Sequence, residues 1–295
     1  MKNADVYELV TQRMIELLEK GVVPWQSPYF SKTGFPRNFA TGKPYRGINV
    51  FLLGSLRFTS PYFLTFIQAK ELGGYVRKGE KGFMVVKYGT FSKEVENETT
   101  HETKEEERHY LKIYTVFHAS QIEEITFPEP EALPEVQEDA RCDRAREIVE
   151  NMPNPPAIKE GKAIPCYIPK QDCVWMPERR YFTSEEARFS VLFHELIHSV
   201  GSEKRLARKS LMENKGMDAG GEARKVYAEE EICAEMGASF LNAHAGINGE
   251  VENSAAYLQG WVSALKTKDA KGWIIRAASH AQKAAEYILN NGGGA

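Results

Sequence analysis

The chain has 295 residues, 42% of them apolar and 27% charged, which suits two globular domains and excludes disordered or fibrous classes. No apolar run is long enough to span a bilayer, and residues 1–8 lack the basic-then-apolar order of a secretion signal, so a cytoplasmic protein with no membrane partner is expected. The formal net charge of −3 hides an asymmetry: residues 1–93 hold 14 Lys+Arg against 6 Asp+Glu, residues 94–150 hold 6 against 17, and the rest balances, so the first block is suited to a polyanion.

In chain order, Val6, Leu9, Val10, Met14, Ile15, Leu17 and Leu18 recur at helical spacing and predict an amphipathic helix over residues 5–20, stopped by Gly21. The next stretch changes texture. It interleaves Trp25, Tyr29, Phe30, Phe35, Phe39 and Tyr45 with Lys32, Arg37, Lys43 and Arg46 among prolines and glycines. Loops of that kind suit single-stranded nucleic acid, whose bases stack on rings while cations hold phosphates. Rings also fill cores, and Trp25 and Phe39 fit either role.

Residues 49–56 and 63–72 read as helices, the second closed by Gly73-Gly74. Residues 75–82 form a glycine-flanked basic turn whose Arg77, Lys78 and Lys81 offer a phosphate contact, although a solvated hairpin tip has the same composition. Strands are predicted over 83–88 and 110–118, the latter alternating Tyr110, Lys112 and Tyr114 with Leu111 and Ile113. The acidic residues 94–107 between them read as an exposed loop. A Pro- and Glu-rich linker over 129–138 separates a first domain, 1–128, from a second, 139–290, and 291–295 reads as a disordered tail. The second domain opens on a helix over 138–151, then short strands at 167–169 and 172–177. Cys142, Cys166, Cys173 and Cys233 form no C-x-x-C and read as isolated thiols, with a Cys166–Cys173 pair or metal site as the alternative.

A helix starting with a Thr183/Glu186 capping box carries His194-Glu195-Leu196-Ile197-His198 and stops at Gly201. Histidines four apart share a helix face, so the two imidazoles can hold one metal ion, with Glu195 in reach of a water on it. A core helix with two satisfied histidines is the plainer alternative. A third ligand is sought on the helix over 227–241. There Glu231 and Glu235 share a side with Ala234, Ala238 and Leu241, small enough to allow close approach, while Glu229 fits a solvated face and Glu230 is the fallback ligand. Glu235 is placed to orient a ligating histidine.

The spacing Glu231-x-x-Ala234-Glu235 after H-E-x-x-H resembles gluzincin-like metallopeptidases. That resemblance implies His194, His198 and Glu231 as ligands, Glu195 as the catalytic general base, and Zn2+ as cofactor, with Mn2+ or another divalent ion as the alternative. It also implies that the 167–177 strands align a peptide. Pro24-Trp25, Thr41-Gly42-x-x-Tyr45-x-Gly47-x-Asn49, Thr65-Phe66-x-Gln68-Ala69, Gly73-Gly74-x-Val76-Arg77-Lys78-Gly79-Glu80-Lys81-Gly82 and Val116-Phe117-x-x-x-Gln121 resemble the N-terminal domain of ArdC-type antirestriction proteins. The histidine helix, Arg205-Leu206 and Ala277-Ala278-x-x-Ala281-Gln282-Lys283-Ala284-Ala285 resemble their C-terminal domain, and coverage is nearly end to end. Departures are His118, where Asn is expected, and Cys173 and Cys233. The resemblance implies an α+β protein in two domains: an α+β first domain that binds single-stranded DNA, and a mainly helical second domain with a small sheet and an SprT-like zinc fold. It implies plasmid-borne proteins that protect conjugated DNA from restriction, with restriction-system proteins or another protein target as further partners. The DNA-contacting candidates are Trp25, Lys43, Tyr45, Arg46, Asn49, Arg77, Lys78 and Lys81.

Overall fold

The computed structural model describes residues 3–25, 34–96, 103–129, 137–213, 222–247, 255–267 and 272–290. The readings made for Tyr29, Phe30, Lys32, most of the linker and the tail fall outside them. The architecture is α+β in two domains. In the first, α1 (Asn3–Glu19) precedes β1 (Arg37–Asn38), α2 (Ile48–Gly54), β2 (Tyr62–Leu64), α3 (Phe66–Glu71), β3 (Tyr75–Val76), the long hairpin β4 (Phe83–Glu96) and β5 (Thr103–His118), and β6 (Ile122–Glu123). Strands order as β1-β2-β5-β4, with β1 and β2 parallel and the rest antiparallel, beside a β3-β6 pair.

The second domain holds α4 (Glu138–Glu150), β7 (Ala157–Glu160), β8 (Cys166–Ile168), β9 (Cys173–Met176), α5 (Glu185–Val200), α6 (Lys209–Met212), α7 (Glu222–Ala245), α8 (Ala255–Leu265) and α9 (Trp273–Ile288). Its small sheet orders β7-β9-β8, which leaves β8 as an edge. Val174 and Met176 turn inward from β9 and are fully buried. All four cysteines are free.

Three sequence expectations are corrected. Residues 63–72 are not one helix, because Thr65 caps α3: its hydroxyl accepts from the Gln68 N–H and the Gln68 side chain accepts from the Thr65 N–H. Residues before the cap are thereby released to pair with β5, Phe63 facing His118. The acidic stretch is not a loop over its described part, since the backbone ladder of β4 and β5 runs on to Glu96 and Thr103. The cap of α5 is Ser184 rather than Thr183; the Ser184 hydroxyl accepts from the Ala187 N–H at 3.0 Å.

The two domains are not separate bodies. Buried residues of α1, α2 and the inner hairpin face (Val10, Met14, Phe51, Val86) lie in one apolar cluster with Phe193, Ile197, Phe240 and Ala281. Trp25, 1% exposed, meets Trp261 edge to face at 6.1 Å, and Phe51 packs on Phe240 at 5.0 Å. At the rim Arg46 pairs with Glu286 at 2.6 Å, and the Gly47 N–H donates to Gln282 Oε1 at 3.2 Å. Burial of this apolar area is what fuses the halves.

Candidate metal centre

The histidines sit on the inner side of α5, against α7. Gly237 sets the approach of these helices: a side-chain Cβ there would lie 2.6 Å from Ile197 Cδ1, so only glycine lets the backbones come this near. Ala234 and Ala238 are buried beside it. His194 Nε2 and His198 Nε2 face each other at 3.1 Å, and each lies 3.5 Å from an oxygen of Glu231. Ligand distances of about 2.0–2.2 Å place the donors of a tetrahedral ion about 3.4 Å apart, so this triangle fits one divalent ion. His194, His198 and Glu231 are the group that the described residues bring together in this way.

Burial disfavours a charge on His194, but a hydrogen bond donated to Glu231 and the charges of Glu235, Glu231 and Glu195 outweigh it and lift its pKa to about 9. Burial likewise raises the Glu231 carboxyl, yet the two histidines hold it below the ordinary range. Two histidines beside so much negative charge are a site built for a cation.

Behind this triangle each imidazole meets a carboxylate. Glu235 Oε1 is 3.7 Å from His194 Nδ1. Glu230, fully buried, is not turned toward the shared point; it takes His198 Nδ1 at 2.9 Å. It also accepts from Arg208 Nε at 2.8 Å and from the Ser210 hydroxyl at 2.6 Å. A carboxylate on Nδ1 fixes the ring so that Nε2 presents its lone pair. Burial favours neutral Glu230, but hydrogen bonding and charge from Arg208, then His198, keep it ionised well below the usual carboxylate range. Sequence reading missed Arg208 and Ser210. Arg208 is buried, and the neighbouring Arg205 is locked on Asp172 at 2.8 Å and on Asn154 O at 2.9 Å.

Glu195 is 6% exposed, and its Oε2 accepts from the Tyr167 backbone N–H at 2.7 Å. That N–H therefore turns away from β9, so the free edge of β8 faces the centre. On α7, Tyr227 hydrogen-bonds Glu231, and burial first, then that carboxylate, pushes its hydroxyl up to about 12.

Residues 4–117 match the model of the N-terminal domain of the anti-restriction factor ArdC, and residues 143–280 match a zincin-like metallopeptidase model. The crystal structure of the antirestriction protein ArdC from plasmid R388 in its metal-free state is 37% identical, covers 97% of each chain and superposes with a TM-score of 0.74. The chain belongs to the ArdC antirestriction family. The Mn(II)-bound structure of the R388 protein is 34% identical with a TM-score of 0.71 over 97% of this chain and 98% of that one. Among curated relatives, the uncharacterized protein y4eC of Sinorhizobium fredii is 30% identical over 96% of this chain and 91% of its own length. Two sequences of the DNA primase TraC of Escherichia coli are each 30% identical over 96% of this chain, which spans only 20% and 27% of their lengths. The zincin-like match and the Mn(II)-bound relative support a divalent metal in this family's second domain.

The DNA-contacting candidates do not come together as one surface in this ArdC-family chain. The Trp25 ring is inside the core, with no face open to a base. Asn49 spends its amide on β4: Nδ2 donates to Val86 O and Oδ1 accepts from Val86 N–H, each at 2.7 Å, covering a sheet edge. Tyr45 packs on Phe63 at 6.3 Å and is half-buried, and Arg46 is held by Glu286. Arg77 is forked on Glu80, and Gln121 binds the same carboxylate, so the basic turn is internally braced. Lys43, Lys78 and Lys81 are exposed. His118, where the resemblance leads one to expect Asn, is buried, stacks on Phe58 at 3.8 Å and bonds Ser60 O at 3.0 Å. No helix among the described residues is long and apolar enough to cross a membrane.

Proposed function

We propose that the chain protects DNA entering a cell from restriction, binding it as a single strand through its basic first domain and carrying a zinc-type peptidase centre in its second. The observation that carries the reading is the triangle of His194 Nε2, His198 Nε2 and Glu231 with sides of 3.1 and 3.5 Å. It stands next to Glu195 in a chain whose first 93 residues bear an excess of cations. The ion held there would act as a Lewis acid on a carbonyl and acidify a bound water. Two imidazoles and a carboxylate suit Zn2+, and Mn2+ is the alternative that the R388 relative brings.

The protein's own residues supply the rest. Glu195 accepts the proton of the attacking water at its carboxylate, and the Tyr167 N–H holds that carboxylate by one oxygen. The outward edge of β8 offers backbone groups to an extended peptide. Exposed Lys78 and Lys81 offer cations to phosphates. The partners in this reading are single-stranded DNA and, in the cytoplasm, a protein of the restriction machinery or another protein target.

Glu195→Ala separates protection from peptide hydrolysis. Its metal content, measured by elemental analysis, is expected to match that of the unchanged chain. If hydrolysis underlies protection, Glu195→Ala abolishes protection of transferred DNA. If the centre only holds the second domain together, protection persists, and the peptidase part of the reading falls.

A further inference from the structure

The strand β8 is short, and its place beside the metal centre is not left to its ladder with β9 alone. Tyr167 is tied at both ends. Its N–H donates to Glu195 Oε2 at 2.7 Å, and its hydroxyl donates to Asp172 Oδ1 at 2.9 Å. Asp172 closes the turn from β8 into β9 and stands in the left-handed region at φ 46°. Its backbone O accepts from the Ala157 N–H at 3.0 Å, where β7 begins.

Arg205 anchors that turn, and its side chain is fully buried. Nη1 and Nη2 fork on the Asp172 carboxylate at 2.8 and 3.3 Å. Nη1 also donates to Ser199 O at 3.1 Å and to Ser202 Oγ at 2.9 Å, while Nε donates to Asn154 O at 2.9 Å. Ser199 follows His198 directly, so one guanidinium holds both the turn of the sheet and the end of the histidine helix. Burial raises the Asp172 carboxyl, but hydrogen bonds from Arg205, Lys204 and Tyr167 outweigh it and lower it to about 2. Desolvation offsets most of the attraction in a buried ion pair, so its net contribution to stability is small. What a planar, bidentate pair fixes well is relative orientation.

We propose that Arg205 and Asp172 clamp the β8 edge at a fixed place against α5, and that Tyr167 carries this constraint to Glu195 and so aims the general base. All three are positioning residues. The assignment rests on the reading that the second domain hydrolyses peptides, in which Glu195 must stand within hydrogen-bond reach of the water proton. A misplacement of about 1 Å there costs about 100-fold in rate.

The first measurement uses the metal-free full chain and no substrate: hydrogen exchange at the Tyr167 amide, followed by NMR. Tyr167→Phe removes the hydroxyl and keeps the N–H, and Arg205→Lys keeps the charge and loses the fork. Each is expected to speed exchange at residue 167 about tenfold, with the amides of α5 and of Val174 on β9 unchanged. The second measurement uses the metal-loaded chain and a fluorescence-quenched peptide chosen from a mixed-sequence library. Tyr167→Phe is expected to lower kcat about tenfold while KM and metal content by elemental analysis stay the same. A merely structural role would lower the melting temperature and leave kcat of the folded protein as it was. Unchanged exchange at residue 167 in both variants overturns the clamp, whatever the activity. Faster exchange with kcat retained overturns its service to the base while the peptidase reading stands. If the unchanged chain cleaves no peptide of the library, the peptidase reading and that service fall together.

Discussion

Glu230 shows how a single carboxylate can govern a site without ligating in it. It collects Arg208, Ser210 and the Nδ1 of His198 in a fully buried pocket, so its charge fixes that Nε2 is the imidazole nitrogen turned toward His194 and Glu231. Glu230→Gln leaves Arg208 as an uncompensated buried cation, which typically costs about 3–5 kcal/mol. Metal affinity is expected to drop about 10–100-fold, measured by competition with a chelating dye. The pH dependence follows from the direction of the shift. A carboxyl held below 4.5 in the fold stabilises fully above that pH, and the contribution is lost as pH falls below it. Acid unfolding of the metal-free chain is therefore expected to show a limb that Glu230→Gln flattens. At this scale the sequence disclosed His194, Glu195 and His198, because a five-residue pattern within one helix needs only helical geometry to be read. Helix phase preferred Glu231 to Glu230 on the other helix, and it is Glu231 whose oxygens lie 3.5 Å from both imidazole nitrogens. Arg208 was invisible, since nothing in a run of basic residues tells which cation is taken inside. Trp25 was ambiguous for a related reason: its fate depends on Trp261, a residue distant in sequence.

Between elements, the distance from α5 to α7 decides whether three donors meet. Gly237 is where the helices touch, against Ile197, and a Cβ there has no free space. Gly237→Val is expected to push α7 outward, costing about 1–3 kcal/mol in thermal stability through overpacking. Because the shift moves Glu231 away from the histidines, metal affinity falls while secondary structure by circular dichroism is kept. An unchanged affinity would show that Glu231 reaches the ion by side-chain rotation alone. Small residues on α7 were legible as a condition for close approach, yet attention fell on Ala234 and Ala238, and the tightest point lies between them. The hairpin was misread for a different reason. Strand ladders propagate through backbone hydrogen bonds, so acidic residues that favour solvent continue β4 and β5 rather than ending them.

For the whole molecule, the shared core makes the first domain dependent on the second. A fragment of residues 1–128 loses the surfaces that cover Trp25 and Phe51. It is expected to expose those rings, lack a cooperative melt and fail to give dispersed amide NMR signals. In the full chain Trp25→Ala is expected to cost about 3–5 kcal/mol, as large-to-small changes in packed cores do. DNA affinity of the protein that remains folded is expected to be unaltered, which separates a core ring from a stacking one. The two-domain α+β organisation was legible from charge blocks and motifs. The fusion of the domains was not, because periodicity shows that a face is apolar without naming what it meets.

That fusion has a genealogical side. A pair of units buried in each other cannot be traded singly between proteins without stranding an apolar face, so the combination travels as one cassette. The relatives follow that rule: 96% of this chain aligns as one stretch with a fifth to a quarter of the TraC primases, and 96% aligns with nearly all of the Sinorhizobium protein. In the TraC primases the aligned stretch sits within a polypeptide several-fold longer.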